Sequence, residues 1–328
     1  KPRFYLGKSS AAMGDIMLHT TYKGLNAFYL ENDQLRLTFL PDYACKLASL
    51  VKKSTGREFL FQSPKEKLTL PHYGAPFSQF DSSGFDEVFP SIDACPYPDG
   101  EYKNIPVPDH GEVWAMKWKW ELAPGGNELI SSVRSENFPY TLSRLITLKD
   151  NEITFHYTVT NLEEGGFKFI WTPHCLLACT PKTRLLIPDN LTQVITVEHG
   201  TKRLGPWGTL HNYPLTTDVN GLPLDLAATE PASANNCEKF YFTQKNTAGW
   251  CGAEHTDNGD KIIYRYDADK VPYLGVWKTQ GGYRGDYNIA LEPCTGVYDD
   301  LYVANKIKKA AVIAPLGQYN WQFKIIIQ

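Results

Sequence analysis

The fold class of this chain is clearest in one stretch, Glu152-Ile153-Thr154-Phe155-His156-Tyr157-Thr158-Val159-Thr160. Its large apolar residues occupy every second position with polar residues between them, which is typical of a β-strand with one buried face. The turn Lys149-Asp150-Asn151 joins it to another strand-like stretch at residues 140–148. Asp and Asn favour such turns because their side chains hydrogen-bond to nearby backbone. This part of the chain therefore predicts consecutive strands.

The same pattern recurs along nearly the whole chain. Further strands are predicted at residues 22–30, 34–40, 46–52, 114–120, 128–135, 167–171, 239–243, 249–254, 261–266, 273–278, 287–292 and 319–327. No long helical periodicity, fixed-length repeat or low-complexity linker accompanies them. Short strands separated by turn residues predict an all-β fold, a large antiparallel β-sandwich formed by one domain over residues 1–328. Residues 1–20 are predicted to be an arm on its surface.

Residues 63–109 break the strand pattern because they are rich in proline, glycine and aspartate. A loop of this length inside a compact domain is uncommon and often carries function. It ends at Asp109-His110-Gly111-Glu112, directly before the strand predicted at residues 114–120. This loop is therefore the first place to look for a site.

The composition excludes several classes of partner. A net charge of −3 gives no basic surface for nucleic acid or for an anionic membrane. No apolar run reaches the roughly 20 residues of a membrane-spanning helix. The seven cysteines include no CxxC pair, so neither a disulfide framework nor a zinc site of the usual spacing is predicted. We expect a cytoplasmic protein that binds neither nucleic acid nor membrane.

Three residues have a setting that suits proton transfer. Glu292 follows a mostly apolar strand and precedes a proline, His174 comes directly after a proline, and His110 precedes a glycine. Taken singly, each has a plainer interpretation: a solvated acid at a strand end, a buried core histidine and a turn histidine. Together, a carboxylate and two imidazoles at strand ends can divide one proton transfer between them at neutral pH. This set needs no cofactor.

The order of these motifs resembles that of the galactose mutarotase-like superfamily, which includes aldose 1-epimerases and hexose-6-phosphate mutarotases. The resemblance covers most of residues 25–327. The motifs that carry it are Leu40-Pro41-Asp42-Tyr43-Ala44-Cys45-Lys46-Leu47, Thr55-Gly56-Arg57-Glu58-Phe59-Leu60, Asp109-His110-Gly111-Glu112, Trp171-Thr172-Pro173-His174, Trp277 and Leu291-Glu292-Pro293. The resemblance implies a β-supersandwich that interconverts the α and β anomers of a small sugar substrate without a cofactor.

The resemblance also implies a role for each of the three residues. Glu292 would take the proton from the anomeric hydroxyl, while His174 protonates the ring oxygen. His110 would hold the sugar or share the acid's task. The ring opens, the free aldehyde rotates about the C1–C2 bond, and reclosure reverses both proton transfers.

The chain departs from the family at positions where arginine is usual. Gly84-Phe85-Asp86-Glu87-Val88-Phe89-Pro90 occupies the region where members place an arginine before the first histidine, and Glu112 follows the His-Gly pair where phosphate-binding members have another. A phosphorylated sugar is therefore disfavoured, because it would need a bidentate cation nearby. For substrate binding we predict Glu112, Trp277 as a stacking surface, and Asp86 or Asp218 as the family's additional aspartate.

Two other functions stay open at this point. The first is a carbohydrate-binding sandwich that has kept the cleft and lost turnover, with Trp277 rather than Glu292 as its essential residue. The second is a metal enzyme in which His110, Glu112 and His174 bind a divalent cation, since imidazole and carboxylate suit several such ions. We rank the mutarotase first, the binding protein second and the metal enzyme third. The sequence does not predict an oligomeric state.

Overall fold

The computed structural model describes residues 20–197 and 200–328, and within them it has 26 β-strands, three 3₁₀ helices and one α-helix. The first strands are β1 (Thr20–Tyr22), β2 (Leu25–Glu31), β3 (Leu35–Leu40), β4 (Lys46–Lys52), β5 (Arg57–Glu58), β6 (Phe85–Val88), β7 (Cys95–Pro96), β8 (Pro106–Val107), β9 (Lys119–Leu122), β10 (Glu128–Arg134), β11 (Tyr140–Lys149), β12 (Glu152–Asn161) and β13 (Phe167–Phe169). The remaining strands are β14 (Thr172–Ala178), β15 (Thr183–Leu186), β16 (Gln193–Thr196), β17 (Leu210–Asn212), β18 (Leu215–Thr217), β19 (Pro223–Asp225), β20 (Asn236–Phe242), β21 (Trp250–His255), β22 (Lys261–Tyr266), β23 (Tyr273–Gln280), β24 (Tyr287–Cys294), β25 (Ala311–Ile313) and β26 (Gln318–Ile327). The 3₁₀ helices are Phe77–Gln79, Val113–Ala115 and Ala232–Ala234, and the α-helix is α1 (Leu301–Lys306).

Two large antiparallel sheets contain most of these strands. The larger has 12 strands in the order β1-β2-β3-β4-β6-β14-β24-β23-β20-β16-β17, with β5 paired to β4. The smaller has 8 strands in the order β15-β21-β22-β26-β12-β11-β10-β9. Two-stranded ribbons are formed by β7-β8, β13-β25 and β18-β19. The predicted all-β, antiparallel sandwich is confirmed. The predicted arm, apart from Thr20 in β1, lies outside the described residues.

The two sheets pack against each other through large aromatic residues. The ring of Phe85 in β6 of the larger sheet lies 5.4 Å from that of Phe155 in β12 and 6.1 Å from that of Phe323 in β26, both in the smaller sheet. All three side chains are buried, which stabilises the fold by about 1.5–3 kcal/mol for each ring. The apolar residues that alternate in β12 form part of this interior, so the sequence pattern has its expected structural cause.

The opposite face of the larger sheet carries polar side chains. Along β24, Ile289 and Leu291 belong to the core between the sheets, whereas Asn288 and Glu292 line a cavity on the other side. Because side chains alternate across a strand, this division follows directly from the strand periodicity. The loop predicted to carry function contributes Phe77 to the same cavity, and Phe77 belongs to a hydrophobic cluster beside it.

The prediction of a strand at residues 114–120 is wrong. The chain forms a 3₁₀ helix at Val113–Ala115, and β9 begins only at Lys119. The indole N–H of Trp114 donates to the carbonyl of Asp109 at 3.0 Å, and that of Trp118 donates to the carbonyl of Val113 at 2.9 Å. These local bonds fold the chain back on itself, so the alternation of tryptophans reflects two buried indoles within a turn.

A short helix also occurs where none was predicted. The Asp300 side chain caps α1 by accepting a hydrogen bond from the N–H of Val303 at 3.0 Å. A helix of six residues is too short to give a periodic pattern, which explains why the sequence did not reveal it. No helix among residues 20–197 and 200–328 is long and apolar enough to cross a membrane.

Candidate active site

A cavity of about 150 Å³ opens on the outer face of the larger sheet. Cavities of this size hold a ligand with a single six-membered ring. The residues that line it come from β14, β20, β23 and β24 and from five connecting segments. They are Phe77, Ser78, Ser82, Ile92, Asp93, His110, His174, Leu176, Lys239, Trp277, Thr279, Tyr283, Arg284, Asp286, Asn288, Glu292 and Asp299. The structure therefore brings together the three residues predicted to transfer protons.

The ladder between β14 and β24 stops inside this cavity. Its last residue pair is Leu176–Ala290, although both strands continue beyond it. In the same register the next pair on the cavity face is His174 and Glu292, so these side chains lie opposite each other where the ladder is interrupted. Each is next to a proline, and proline cannot donate a ladder hydrogen bond. The prolines therefore end the pairing between the strands.

The two strands themselves do not end where the sequence predicted. β24 continues through Pro293 to Cys294, paired with β23, and His174 lies within β14 instead of closing the preceding strand. A proline is tolerated here because β24 has no ladder with β14 beyond Ala290. Glu292 is therefore a buried residue in the middle of a sheet, and its interpretation as a solvated strand-end acid is wrong.

Glu292 is only 1% exposed and accepts a hydrogen bond from the ammonium group of Lys239. Burial raises the pKa of Glu292 above its ordinary value; Lys239 opposes this shift, and the carboxylate of Asp299 adds to it. Gly275 leaves room for the carboxylate, since a Cβ at that position would lie 3.3 Å from Oε2 of Glu292 and 2.8 Å from the ring of Tyr241. The acid is thus buried, paired and tightly packed.

Lys239 is shared between two carboxylates. Its Nζ lies 3.2 Å from Oδ1 of Asp299, and the hydroxyl of Tyr241 donates to the same oxygen. Burial by itself would lower the pKa of Lys239, but the carboxylates of Asp299 and Glu292 raise it above its ordinary value. The side chain is therefore a cation. One ammonium group therefore faces two carboxylates in the floor of the cavity.

His174 is buried beside positive charge. Burial lowers its pKa well below the ordinary value, and the charges of His110, Lys239 and Lys46 act in the same direction. Its Nδ1 atom has no hydrogen-bond partner among the described residues. The imidazole of His174 is therefore neutral at pH 7.

His110 is held from three sides. Its Nδ1 lies 2.8 Å from Oδ1 of Asp109, its ring stacks on Phe77 at 3.8 Å, and its ring centre lies 5.0 Å from that of His174. Burial by itself would raise the pKa of Asp109, but the hydrogen bond with His110 holds that pKa below its ordinary value. A carboxylate is thus available to balance a positive charge on His110.

The glycine after His110 permits a close backbone approach. Gly111 has a φ of +73°, and a Cβ there would lie 2.0 Å from the carbonyl oxygen of Phe89. We expect Gly111→Ala to lower the free energy of unfolding by about 2–4 kcal/mol, because a steric clash adds to the cost of the left-handed conformation. Urea denaturation measures this change. Gly100→Ala is the control, since Gly100 has a similar φ of +70° with no atom within 4 Å; an equal loss in both variants would contradict the role of the contact.

The predicted sugar contact of Asp86 does not match its position. Asp86 stands opposite His174 on β6, is 1% exposed and accepts a hydrogen bond from Nζ of Lys46 at 2.8 Å. It is not among the residues that line the cavity. Burial raises its pKa to about 6 despite the opposing charge of Lys46. Asp86 therefore belongs to the layer that surrounds His174, where its other oxygen, Oδ1, has no partner among the described residues.

Glu112 lies in a separate polar cluster. Its carboxylate is fully buried and accepts hydrogen bonds from the hydroxyls of Tyr73, Ser135 and Tyr140 at 2.7, 2.8 and 2.6 Å. These three donors occupy the oxygens that a sugar or a metal ion would need. The part of the chain that the structure describes contains no cluster of His, Cys, Asp or Glu able to hold a metal ion, so the set proposed for a metal enzyme is not brought together.

Asp218 lies in an exposed turn away from the cavity. Its Oδ1 accepts the backbone N–H groups of Asn220 and Leu222, both at 2.8 Å. This is the usual turn-forming role of aspartate. Of the four residues predicted to bind substrate, only Trp277 lines the cavity.

Several residues of the cavity were not predicted from the sequence. They are Asp93, Lys239, Tyr283, Arg284, Asp286, Asn288 and Asp299, besides small and apolar residues. Lys239 directly precedes the apolar run Phe240-Tyr241-Phe242 in β20. A lysine beside such a run is a signal in the sequence from which a site residue could have been predicted. The cations Lys239 and Arg284 also show that positive charge is present in the site, although it is absent from the two positions where the family places arginine.

The fold has counterparts among solved structures. No protein-family model matches the chain, and no curated protein matches its sequence. A protein from Synechocystis superposes with a TM-score of 0.70 at 17% identity, over 95% of this chain and 99% of that one. A galactose mutarotase-like protein from Lactobacillus casei has a TM-score of 0.67 at 17% identity, over 92% of this chain and all of that one. A galactose mutarotase related enzyme from Lactobacillus acidophilus has a TM-score of 0.64 at 12% identity, over 92% and 97% of the two chains. This chain therefore has the galactose mutarotase-like fold.

Proposed function

We propose that the protein is a cofactor-independent sugar mutarotase of the aldose 1-epimerase type. The observation that carries the proposal is the placement of Glu292 and His174 opposite each other in the cavity floor, where the β14–β24 ladder is interrupted. Ring opening of a hemiacetal needs a base at the anomeric hydroxyl and an acid at the ring oxygen. These two oxygens are bonded to the same carbon, so the two protein groups must face one point.

In the proposed reaction the carboxylate of Glu292 removes the proton of the anomeric hydroxyl. The C1–O bond to the ring oxygen breaks as that oxygen receives a proton, which gives the open aldehyde. Rotation about the C1–C2 bond presents the other face of the aldehyde. Reclosure returns both protons, so the reaction is balanced without a co-reactant. A positioned general acid or base typically contributes about 10²–10⁴-fold to such a rate.

We propose that His110 and His174 share the role of general acid at the ring oxygen. His174 is neutral at pH 7 because of burial and neighbouring cations. His110 lies against the Asp109 carboxylate, which can balance a positive charge that develops on the ring during proton transfer. With the two rings 5.0 Å apart, His174 is near enough to act with it at the ring oxygen.

A shared acid role predicts the effect of His110→Asn on kcat/KM. Removing one of the two groups that act at the ring oxygen is expected to lower kcat/KM by about 10²–10⁴-fold, the usual contribution of a positioned acid. Exchange NMR measures this loss. His156→Asn is the control, since His156 is exposed and does not line the cavity, and it should leave the rate unchanged. Full activity in His110→Asn would contradict the shared role.

The test of the function is anomer exchange measured by two-dimensional exchange NMR on a panel of aldoses at equilibrium. Equilibrium measurement detects turnover of either anomer and needs no coupled enzyme. We expect the purified protein to accelerate exchange of at least one sugar. No acceleration on any sugar of the panel would overturn the proposal.

A second candidate function is a carbohydrate-binding protein without turnover. The observation in its favour is the ion pair of Glu292 with Lys239, since a base that already binds a cation is a weaker base. In that case sugar binding would be insensitive to Glu292→Gln and lost in Trp277→Ala, and no sugar would show accelerated exchange.

A further inference from the structure

A second cavity of about 210 Å³ adjoins the candidate active site. Phe61, Ser63, Lys65 and Phe80 line it together with three residues that also line the first cavity. The shared residues are Ser82, Arg284 and Asp286. The two cavities are therefore neighbouring parts of one cleft, and Ser82, Arg284 and Asp286 form the junction between them.

The cleft extends along β24. Glu292 and Asn288 point to the same face of this strand, and Asp286 directly precedes it. Glu292 lies six positions after Asp286, which corresponds to about 20 Å of extended chain at 3.3–3.4 Å per residue. A single sugar ring in the first cavity, with its anomeric carbon at Glu292, would leave the second cavity unfilled.

A buried polar group without a protein partner lies along this path. Asn288 is 1% exposed, and its Oδ1 atom has no hydrogen-bond partner among the described residues. At the junction, the guanidinium of Arg284 lies 5.9 Å from the centre of the Tyr283 ring. Burial raises the pKa of Asp286, and the charge of Arg284 opposes this shift. Because buried polar groups are normally satisfied, the Asn288 amide indicates a ligand that supplies hydrogen-bonding groups.

The second cavity offers charges of both signs to a ligand. Asp81 also lines it but is paired with Lys46 at 3.0 Å, so the charged groups available to a ligand are those of Lys65, Arg284 and Asp286. A mixture of hydroxyl, guanidinium and carboxylate groups offers both donors and acceptors, which suits the hydroxyls of a sugar. The aromatic rings of Phe61 and Phe80 add apolar surface of the kind that sugar rings contact.

We propose that the substrate is a reducing disaccharide or a longer reducing oligosaccharide. The reducing ring occupies the first cavity, with its anomeric carbon between Glu292 and His174, and the adjoining unit crosses the junction into the second cavity. The proposal rests on the proposed function, because only a free anomeric carbon can be mutarotated. The bond between the two sugar units is neither made nor broken.

The test compares sugars that differ only by the second unit. Glucose and galactose are measured against disaccharides that have the same reducing ring and differ in linkage, by exchange NMR for kcat/KM and by titration calorimetry for binding. For at least one linkage we expect roughly tenfold higher kcat/KM and tenfold tighter binding than for the monosaccharide.

A pair of tryptophan variants locates the effect. Ser63→Trp fills the second cavity and is expected to remove the preference for the disaccharide. Thr69→Trp is the control, since Thr69 is exposed in the same loop and lines neither cavity. Near-native circular dichroism of both variants establishes that they are folded.

The outcomes separate this proposal from the proposed function. If no sugar is exchanged but a disaccharide binds tenfold tighter than its monosaccharide, the mutarotase proposal fails and the extended binding site stands. If monosaccharides are exchanged and bound as well as every disaccharide, the mutarotase stands and the extended site is overturned. Persistence of the disaccharide preference in Ser63→Trp would also overturn it.

Discussion

Glu292→Gln is expected to slow anomer exchange by about 10²–10⁴-fold, the usual contribution of a general base. The amide has the shape of the carboxylate but cannot accept the proton of the anomeric hydroxyl at neutral pH. Lys239 keeps Asp299 as a partner at 3.2 Å, so the substitution does not leave the buried ammonium without an acid. The measurement is kcat/KM by exchange NMR, with sugar binding followed separately by titration calorimetry.

The matched control for this variant is Glu112→Gln. Glu112 is also a fully buried glutamate with hydrogen-bonded oxygens, but it lies outside the cavity. We expect Glu112→Gln to affect the free energy of unfolding while leaving the exchange rate of folded protein unchanged. Full activity in Glu292→Gln, or equal losses of activity in both variants, would rule out Glu292 as the base.

The fold could be predicted from the sequence because its cause is local. Alternating residues such as those of β12 and β26 bury one face each, and that face is visible in the order of residues along the chain. Local bonds also explain the main failure: the indoles of Trp114 and Trp118 bond to carbonyls within five residues, and a period-two pattern cannot distinguish this turn from a strand.

The candidate site could be predicted only in part. Glu292 and His174 were identifiable because each is a polar residue next to a proline in a mostly apolar strand. The same prolines interrupt the ladder between the two strands. The pairing of Lys239 with Glu292 was not identifiable, since 53 residues separate them and β23 lies between their strands. Asp86 and Glu112 lie outside the cavity, and nothing along the sequence shows that Lys46 and three hydroxyls bind them.

Lys239→Met is expected to shift the acidic limb of the pH profile to higher pH. The groups facing Glu292 are Lys239, Asp299 and His110, and burial already raises its pKa. Removing the ammonium leaves two buried carboxylates together, which raises that pKa further. A base acts only when deprotonated, so the variant needs a higher pH than the wild type to reach full activity. Each unit by which the pKa exceeds the assay pH lowers the rate about tenfold. Lys239→Arg keeps the charge and should retain the wild-type limb.

Stability provides an independent test of the same charge. Breaking a buried ion pair by removing one partner costs about 3–5 kcal/mol. In Lys239→Met the folded-state pKa of Glu292 exceeds its unfolded value of about 4.3, so the folded protein holds the proton more tightly. The variant is therefore least destabilised below about pH 4.3, and it loses stability as pH rises through the raised pKa. Urea denaturation between pH 4 and pH 8 measures this loss. A pH-independent loss, together with an unmoved activity profile, would mean that Lys239 acts only by filling space and does not hold Glu292 in its ionised form.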